Sequence, residues 1–241
     1  FDRVIVSDVA GTTRDAIDTE LEYEGEKFTL IDTAGIRKRG KVKEDLERYS
    51  VMRALAAVRR ADVAVLVCDA NEGMTEQDVK IAGYIHDEGK PAIIALNKWD
   101  IVEKDEKTAE RLKAKVLEEL KFMDYVTPIF ISAKTGKRVD VVLKESRRVY
   151  ANASRRIPTG LLNEVLMDAV RIVEPPSKNG RRLKMLYSTQ VAVNPPTFVV
   201  KVNEHELMHF SYRRYLENAL RKSFDFSGTP IKILSRKNDE E

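Results

Sequence analysis

The sequence predicts an α/β protein that has a mostly parallel sheet with helices on both faces, followed by a small α+β domain. Short apolar runs alternate with longer amphipathic stretches over the first 150 residues, as in chains whose parallel strands are joined by helices. Polar motifs directly follow three of the apolar runs. The last third of the chain changes to the order α-β-β-α-β, after a boundary that contains a proline.

The first 60 residues predict a loop with a short strand at 4–6, then a β-hairpin and a helix. Residues 19–23 alternate apolar and polar side chains, and they lead into a second strand at 27–31 through a turn around Gly25. Residues 44–60 place most of their apolar side chains on one stripe, which predicts an amphipathic helix.

Strands and helices alternate over the next 90 residues. Three apolar runs predict buried strands, and the stretches between and after them predict three helices, the second of them strongly charged. Thr75 is a candidate N-cap for the first of these helices, and Cys68 is expected to be a buried thiol within the first strand. The strands are predicted at 62–69, 91–96 and 127–131, and the helices at 76–86, 104–121 and 139–152.

A second domain is expected to begin near residue 154, which gives domains at 1–153 and 154–241. Thr159 is the predicted cap of its first helix, and Asn194-Pro195-Pro196 should interrupt strand pairing because proline has no N–H. Later elements are predicted at 183–193, 197–202, 207–224 and 231–234. The aromatic side chains of the second helix are expected to lie in the core; they are Phe210, Tyr215 and Phe224.

Composition favours a globular cytoplasmic protein without membrane contact. The chain is 43% apolar and 34% charged, and its apolar runs are far shorter than the roughly 20 residues that span a bilayer. A single cysteine and three histidines offer neither a disulfide nor the spacing of metal ligands, and no signal peptide is expected at the start.

The charge is distributed unevenly along the chain. Residues 1–150 contain 27 Lys and Arg against 29 Asp and Glu, a net charge of −2, whereas residues 151–241 contain 15 against 10, a net charge of +5. The basic excess of the second domain is consistent with a polyanionic partner such as RNA, although a solvated surface would explain it equally well.

The motif Asn97-Lys98-Trp99-Asp100 follows a buried strand, at the end of the sheet where open α/β folds bind ligands. The Asp100 carboxylate can accept two hydrogen bonds from guanine, from its N1–H and its 2-amino group. Adenine offers neither donor, so the carboxylate would stay unpaired. Asn97 can tie neighbouring loops together, and the stem of Lys98 can lie along the base.

Three further motifs occur in the same region of the chain: G-T-T-R-D at 11–15, D-T-A-G at 32–35 and S-A-K at 132–134. Asp32 follows a strand, where a carboxylate can hold Mg²⁺ through water, and the Gly35 N–H can reach a terminal phosphate. Either Thr12 or Thr13 could place a hydroxyl on Mg²⁺. The Ala133 N–H, between Ser132 and Lys134, can donate to guanine O6.

With these motifs the chain resembles the second G domain and the KH-like C-terminal domain of the bacterial ribosome-assembly GTPases called Der or EngA. The resemblance extends over nearly the whole chain and implies a P-loop-NTPase-like domain, GTP and GDP as ligands, Mg²⁺ as cofactor, and the large ribosomal subunit and its rRNA as partners. It also implies a first switch at the two threonines. The second switch would be basic, with Arg37, Lys38, Arg39, Lys41 and Lys43.

The sequence departs from this family pattern in one respect. No G-x-x-x-x-G-K-[S/T] loop occurs in the 241 residues, although that loop cradles the phosphates in P-loop NTPases. We expect either that residues with this loop precede Phe1 in the intact protein, or that the chain is a fragment that lacks the loop and is inactive by itself. The sequence leaves open whether another G domain also precedes Phe1. The chain also lacks the G-x-x-G loop by which KH domains clamp nucleic acid.

Ile36 stands where many GTPases place a glutamine that orients the attacking water. An aliphatic side chain cannot do this, so the backbone, a partner or a cation must. The resemblance implies a bound K⁺ for that task.

Three hypotheses about function remain from the sequence. The leading one is a GTPase whose nucleotide state controls its binding to the ribosome. The second is a hydrolysis-deficient module that docks on RNA or the ribosome through its basic domain. The third is a degenerate G-like domain that only packs against another domain, which four ordered motifs argue against.

Overall fold

The computed structural model describes residues 4–6, 18–31, 52, 54–178 and 180–237. It divides into two compact units, Phe1–Ala64 and Val65–Glu241. The mixed α/β fold that the sequence predicts is confirmed.

The first unit contains an antiparallel sheet of three strands: β1 (Val4–Val6), β2 (Asp18–Tyr23) and β3 (Glu26–Ile31). The predicted hairpin between β2 and β3 turns at Glu24 and Gly25, which both have positive φ, 52° and 79°. Such a pair matches the twist of a two-residue hairpin loop. Residues 52 and 54–60 are helical and form the described part of α1.

The central sheet has the strand order β4-β5-β6, formed by Ala64–Asp69, Ala92–Asn97 and Ile129–Phe130. Strands β5 and β6 are parallel, with Ala95 opposite Ile129 and Leu96 opposite Phe130. Five of the six residues in β5 are buried, which explains why this strand appears in the sequence as an unbroken apolar run. Cys68 is also buried, as expected.

Three helices accompany this sheet: α2 (Glu76–Asp87), α3 (Thr108–Glu119) and α4 (Asp140–Ala153). Thr75 caps α2 as predicted, and it forms a capping box in which the Asp78 N–H donates to its hydroxyl and its own N–H donates to the Asp78 carboxylate. The long charged helix predicted at 104–121 is shorter, since its first residues form a turn and Lys121–Met123 form a 3₁₀ turn.

The predicted order α-β-β-α-β is present in the C-terminal part of the second unit. Its elements are α5 (Thr159–Ile172), β9 (Met185–Ala192), β10 (Thr197–Val202), α6 (Phe210–Ser223) and β11 (Lys232–Lys237). In the sheet, β10 pairs antiparallel with β9 and parallel with β11. A short hairpin of β7 (Ser177–Lys178) and β8 (Arg181–Arg182) precedes β9.

Two predictions for these helices were wrong. Thr159 is not the cap of α5, because the first helical hydrogen bond runs from the Leu162 N–H to the Pro158 carbonyl, so Thr159 is already inside the helix. Phe210 is 75% exposed. It lies two residues before the buried Tyr212, about 200° around the helix, and therefore on its opposite side.

The loop between α6 and β11 packs against α4 and the start of β5. The Gly228 N–H donates to the Tyr125 carbonyl at 2.8 Å, and the Gly228 carbonyl accepts from the Ala92 N–H at 2.7 Å. The Asn152 amide donates to the Ser227 carbonyl at 3.1 Å. The C-terminal module is thus fixed to the elements of the central sheet within the second unit.

In the described part of the chain, no helix combines the length and the apolar character that crossing a bilayer requires.

Candidate functional site

The strands of the central sheet bring two of the predicted motifs together. The Ile131 N–H donates to the Leu96 carbonyl at 2.9 Å, and the Trp99 N–H donates to the Ile131 carbonyl at 3.1 Å. These bonds continue the pairing of β5 and β6 beyond the ends of both strands. As a result, residues 97–100 and 131–134 form one edge, which we call the motif edge.

Asn97 ties the two loops of the motif edge together. Its side-chain Oδ1 accepts the Ala133 N–H at 2.9 Å, so this asparagine has the connecting role that the sequence suggested. The same bond occupies the N–H that was expected to serve guanine O6. A base bound here would therefore share that donor with Asn97 or displace the asparagine oxygen from it.

Asp100 is exposed, and a buried serine holds its carboxylate in place. The Ser132 hydroxyl donates to Asp100 Oδ1 at 2.6 Å, while Ser132 itself is 2% exposed. Ser132 Oγ also accepts the Thr135 N–H at 3.2 Å. The hydrogen bond from Ser132 is the largest cause that holds the pKa of Asp100 below its usual value, with Lys134 and Lys104 adding to it. The carboxylate therefore stays ionised to lower pH, with its orientation set.

Lys98 is anchored by a carboxylate that sequence reasoning did not single out. Its Nζ lies 2.6 Å from Asp69 Oδ2, at the end of β4. The Lys98 backbone is in the left-handed region, with a φ of 63°, which is uncommon for a residue other than glycine. In the sequence, Asp69 is distinguished only as an acidic residue at the end of an apolar strand.

Trp99 is the aromatic residue of the motif edge. Its ring centroid lies 4.2 Å from that of Phe130 in β6, and Lys104 Nζ lies 5.0 Å from the Trp99 ring. Lys134 is exposed beside Ala133. The motif edge therefore combines the fixed carboxylate of Asp100 with the lysines Lys98, Lys104 and Lys134.

The remaining predicted site residues lie outside the described residues, so their placement stays a prediction. They are Thr12, Thr13, Asp32, Gly35, Arg37, Lys38, Arg39, Lys41 and Lys43. Within the part that the structure describes, no group of three or more His, Cys, Asp or Glu side chains is arranged to hold a metal ion.

Comparison with known families gives two matches along the chain. Residues 2–98 match the family described as 50S ribosome-binding GTPase. Residues 156–236 match the KH-domain-like C-terminal domain of EngA bacterial GTPase enzymes. The two matches follow one another in the order expected from the sequence resemblance.

Individual relatives agree with both matches. The GTPase Der of Lachnospira eligens is 54% identical over 239 residues, which are 99% of this chain and 54% of that protein. The GTPase Der of Geobacillus sp. is 56% identical over 235 residues, 98% of this chain and 54% of the relative. The chain belongs to the GTPase Der (EngA) family. It spans about half the length of the curated Der proteins that it matches.

Among solved structures, a crystal structure of Era in complex with MgGDPNP and nucleotides 1506–1542 of 16S ribosomal RNA is similar at 20% identity. The TM-score is 0.48, over 97% of this chain and 83% of that one.

Proposed function

We propose that the chain is the base-reading and ribosome-docking part of a cytoplasmic GTPase that acts in assembly of the large ribosomal subunit. The intact protein would hydrolyse GTP to GDP and phosphate, and its nucleotide state would control its binding to the ribosome and rRNA. Membership of the Der family supports this proposal. The base-reading role is supported by one observation: the Ser132 hydroxyl donates to Asp100 Oδ1 at 2.6 Å and so orients the carboxylate.

Guanine recognition would follow from the donors and acceptors at the motif edge. The ionised Asp100 would accept the N1–H and 2-amino protons of guanine, which are charge-assisted hydrogen bonds and so are strong. Asn97 and Ala133 would hold the two loops at the correct separation and face O6. Lys98, anchored at Asp69, would lie along the purine. Adenine would leave the carboxylate without donors, which is costly.

Catalysis would depend on position and charge rather than on a covalent intermediate. Mg²⁺ would neutralise phosphate charge, and by resemblance Asp32 with Thr12 or Thr13 would hold it. Gly35 and the basic segment from Arg37 to Lys43 would respond to the terminal phosphate. Because Ile36 cannot orient water, we propose K⁺ as a second cation, so that turnover should be faster in K⁺ than in Na⁺ buffers.

The basic C-terminal module is proposed to face rRNA. Residues 151–241 have a net charge of +5, and electrostatic binding to a polyanion weakens steeply as salt rises. The proposal includes two domains, a G domain at 1–153 and a KH-like domain at 154–241. A Der protein of this kind would bind the ribosomal subunit in one nucleotide state and leave it in the other.

The test is base specificity of hydrolysis by the intact protein. Asp100→Asn places an amide opposite C2 of the base, and the amide N–H can donate to the 2-carbonyl of xanthine. We expect this variant to lose GTP turnover at this site and to gain XTP turnover. Asp168→Asn, which neutralises an exposed ion-paired carboxylate on α5, is the matched control and should behave as wild type. Retention of GTP preference by Asp100→Asn would refute the proposal.

A further inference from the structure

Asp69 is the one carboxylate that is buried among the residues that the structure describes, with 4% exposure. An ionised carboxylate withdrawn from water is unfavourable unless it is paired and hydrogen-bonded. Its position at the end of β4, beside the motif edge, therefore requires an explanation.

The contacts of Asp69 fix it from two sides. Oδ1 accepts the Asn71 N–H at 2.9 Å, and Oδ2 lies 2.6 Å from Lys98 Nζ. The neighbouring Ala70 N–H donates to the Asn97 carbonyl at 2.8 Å, which joins the end of β4 to the start of the N-K-W-D motif. These contacts hold the carboxylate to the turn after β4 and to the N-K-W-D loop.

The Lys98 side chain is ordered before any ligand binds. Lys98 occupies a left-handed backbone conformation, and its side chain remains 49% exposed although the ammonium is paired with a buried partner. A free lysine loses much rotamer entropy when a ligand orders it. A lysine that is already ordered at the edge loses little at that step.

We propose that Asp69 is a positioning residue for nucleotide binding, which acts through Lys98 and does not itself touch the nucleotide. It holds the Lys98 ammonium at the ends of β4 and β5, so that the lysine stem is aligned with the purine before the nucleotide arrives. This inference rests on the proposed function, since it assumes that the motif edge receives a guanine nucleotide.

A simpler role for Asp69 is to stabilise the turn that follows β4. Asp69→Asn separates the two roles, because the amide oxygen can still accept the Asn71 N–H but carries no charge for Lys98. Lys98→Met is the complementary change, since it keeps an unbranched apolar stem and removes the ammonium. Together the two changes form a double-mutant cycle that isolates the ion pair.

The experiment uses the intact protein with Asp100→Asn in every variant. XDP then reports on this site alone, even if another G domain binds GDP in the same protein. The dissociation constant for fluorescent XDP is measured without further change, with Asp69→Asn, with Lys98→Met, and with both. Asp168→Asn is added as the control that neutralises an exposed ion-paired carboxylate elsewhere.

We expect Asp69→Asn and Lys98→Met each to weaken XDP binding about tenfold, and the double variant to be no weaker than Lys98→Met alone. An Asp69→Asn constant within twofold of the background overturns the inference. Losses of XDP affinity that multiply in the double variant also overturn it, because they would mean that the two residues act independently. A background that does not bind XDP overturns the base-reading function itself, and the inference with it.

The unfolding temperature is a second measurement, which still tests the inference if a variant folds poorly. Lys98→Met removes the ammonium that lies 2.6 Å from the buried carboxylate. Adding Asp69→Asn to that variant should therefore raise the unfolding temperature, whereas Asp69→Asn alone should lower it. A purely structural aspartate would lower the temperature in both backgrounds, and that result would contradict the positioning role.

Discussion

Asp100 shows how a single hydroxyl can prepare an exposed carboxylate for recognition. Ser132 is buried and also accepts a backbone N–H, so its own position is fixed. Its bond to Asp100 lowers the pKa of that carboxyl, and a lower pKa means that the acceptor form persists to lower pH. In this way one buried residue sets the direction of its exposed neighbour and widens the pH range over which that neighbour is charged.

Removing that hydroxyl should weaken nucleotide binding and change its pH dependence. With Ser132→Ala, we expect guanine nucleotides to bind about five- to tenfold more weakly, because a hydrogen bond to a charged group is lost. The pKa of Asp100 should rise towards its ordinary 3.8, so binding should fail at a higher pH than in wild type as the solution is acidified.

The measurement is the dissociation constant of a fluorescent GDP across the acidic pH range. Ser146→Ala is a matched control, since Ser146 donates a hydroxyl hydrogen bond to the Val142 carbonyl within α4 and does not contact the motif edge. Identical pH profiles for Ser132→Ala and wild type would contradict this account of Asp100.

At the residue level, sequence predicted the side chains of the motif edge but not their partners. The six residues that the sequence selected at 97–100 and 132–134 do lie together, because they follow parallel strands that end at one edge. The bond between Asn97 and Ala133 depends on the spacing of two loops that are 36 residues apart in sequence. The pairing of Lys98 with Asp69 likewise depends on strand order, which apolar runs do not specify.

Helix α2 shows how local sequence specifies an element. Thr75 has extended backbone and accepts the Asp78 N–H at 3.2 Å, while the Asp78 carboxylate accepts the Thr75 N–H at 2.9 Å. These reciprocal bonds satisfy donors that a helix start leaves open. Because all the partners lie within four residues, the start of this helix was predictable.

Thr75→Ala should lower the free energy of unfolding by about 1 kcal/mol, the usual cost of losing an N-cap. Asp78→Ala should cost a similar amount, and the double variant should cost less than the sum because both changes break the same box. Chemical denaturation measures all three, with the exposed Lys80→Ala on the same helix as control. Strict additivity would show that the box does not act as a unit.

The start of α5 and the buried side of α6 were less predictable. Helix α5 begins at Thr159 rather than after it, since the Pro158 carbonyl takes the first helical bond. In α6, the side that faces the core is set by Tyr212, Leu216 and Leu220, which leaves Phe210 outside. An aromatic residue near a helix start therefore gives a weak indication of burial.

At the scale of the molecule, the loop around Gly228 fixes the C-terminal module to the central sheet. Gly228 has a φ of 77°, and a Cβ at this position would lie 2.3 Å from Val149 Cγ2 in α4. Only glycine allows this approach while both of its backbone groups bond to Ala92 and Tyr125. Contacts of this kind connect the proposed docking module to α4, the helix that follows the S-A-K motif.

Gly228→Ala should therefore lower the free energy of unfolding by at least about 2 kcal/mol, since it combines an overpacked contact with an unfavourable φ. Gly180→Ala is the matched control. Gly180 also has a positive φ, of 75°, but a Cβ there would meet nothing within 4 Å, so only the backbone strain of about 1 kcal/mol is expected.

Relief of the contact provides an independent check on Gly228. In a Val149→Ala background the same glycine substitution should cost less, because the side chain that it meets has been shortened. Equal costs for the substitutions at Gly228 and Gly180 would show that the approach to α4 does not limit this position.

Nucleotide affinity measures whether the motif edge reads guanine through Asp100. Energy transfer from Trp99, the single tryptophan of the 241 residues, to a fluorescent GDP would report binding beside Asp100, and unlabelled nucleotides would compete. We predict that GDP competes best. Inosine diphosphate lacks the 2-amino group and should be about 10- to 100-fold weaker, and XDP should be weaker still. Equal competition by GDP, inosine diphosphate and XDP would contradict guanine recognition by Asp100.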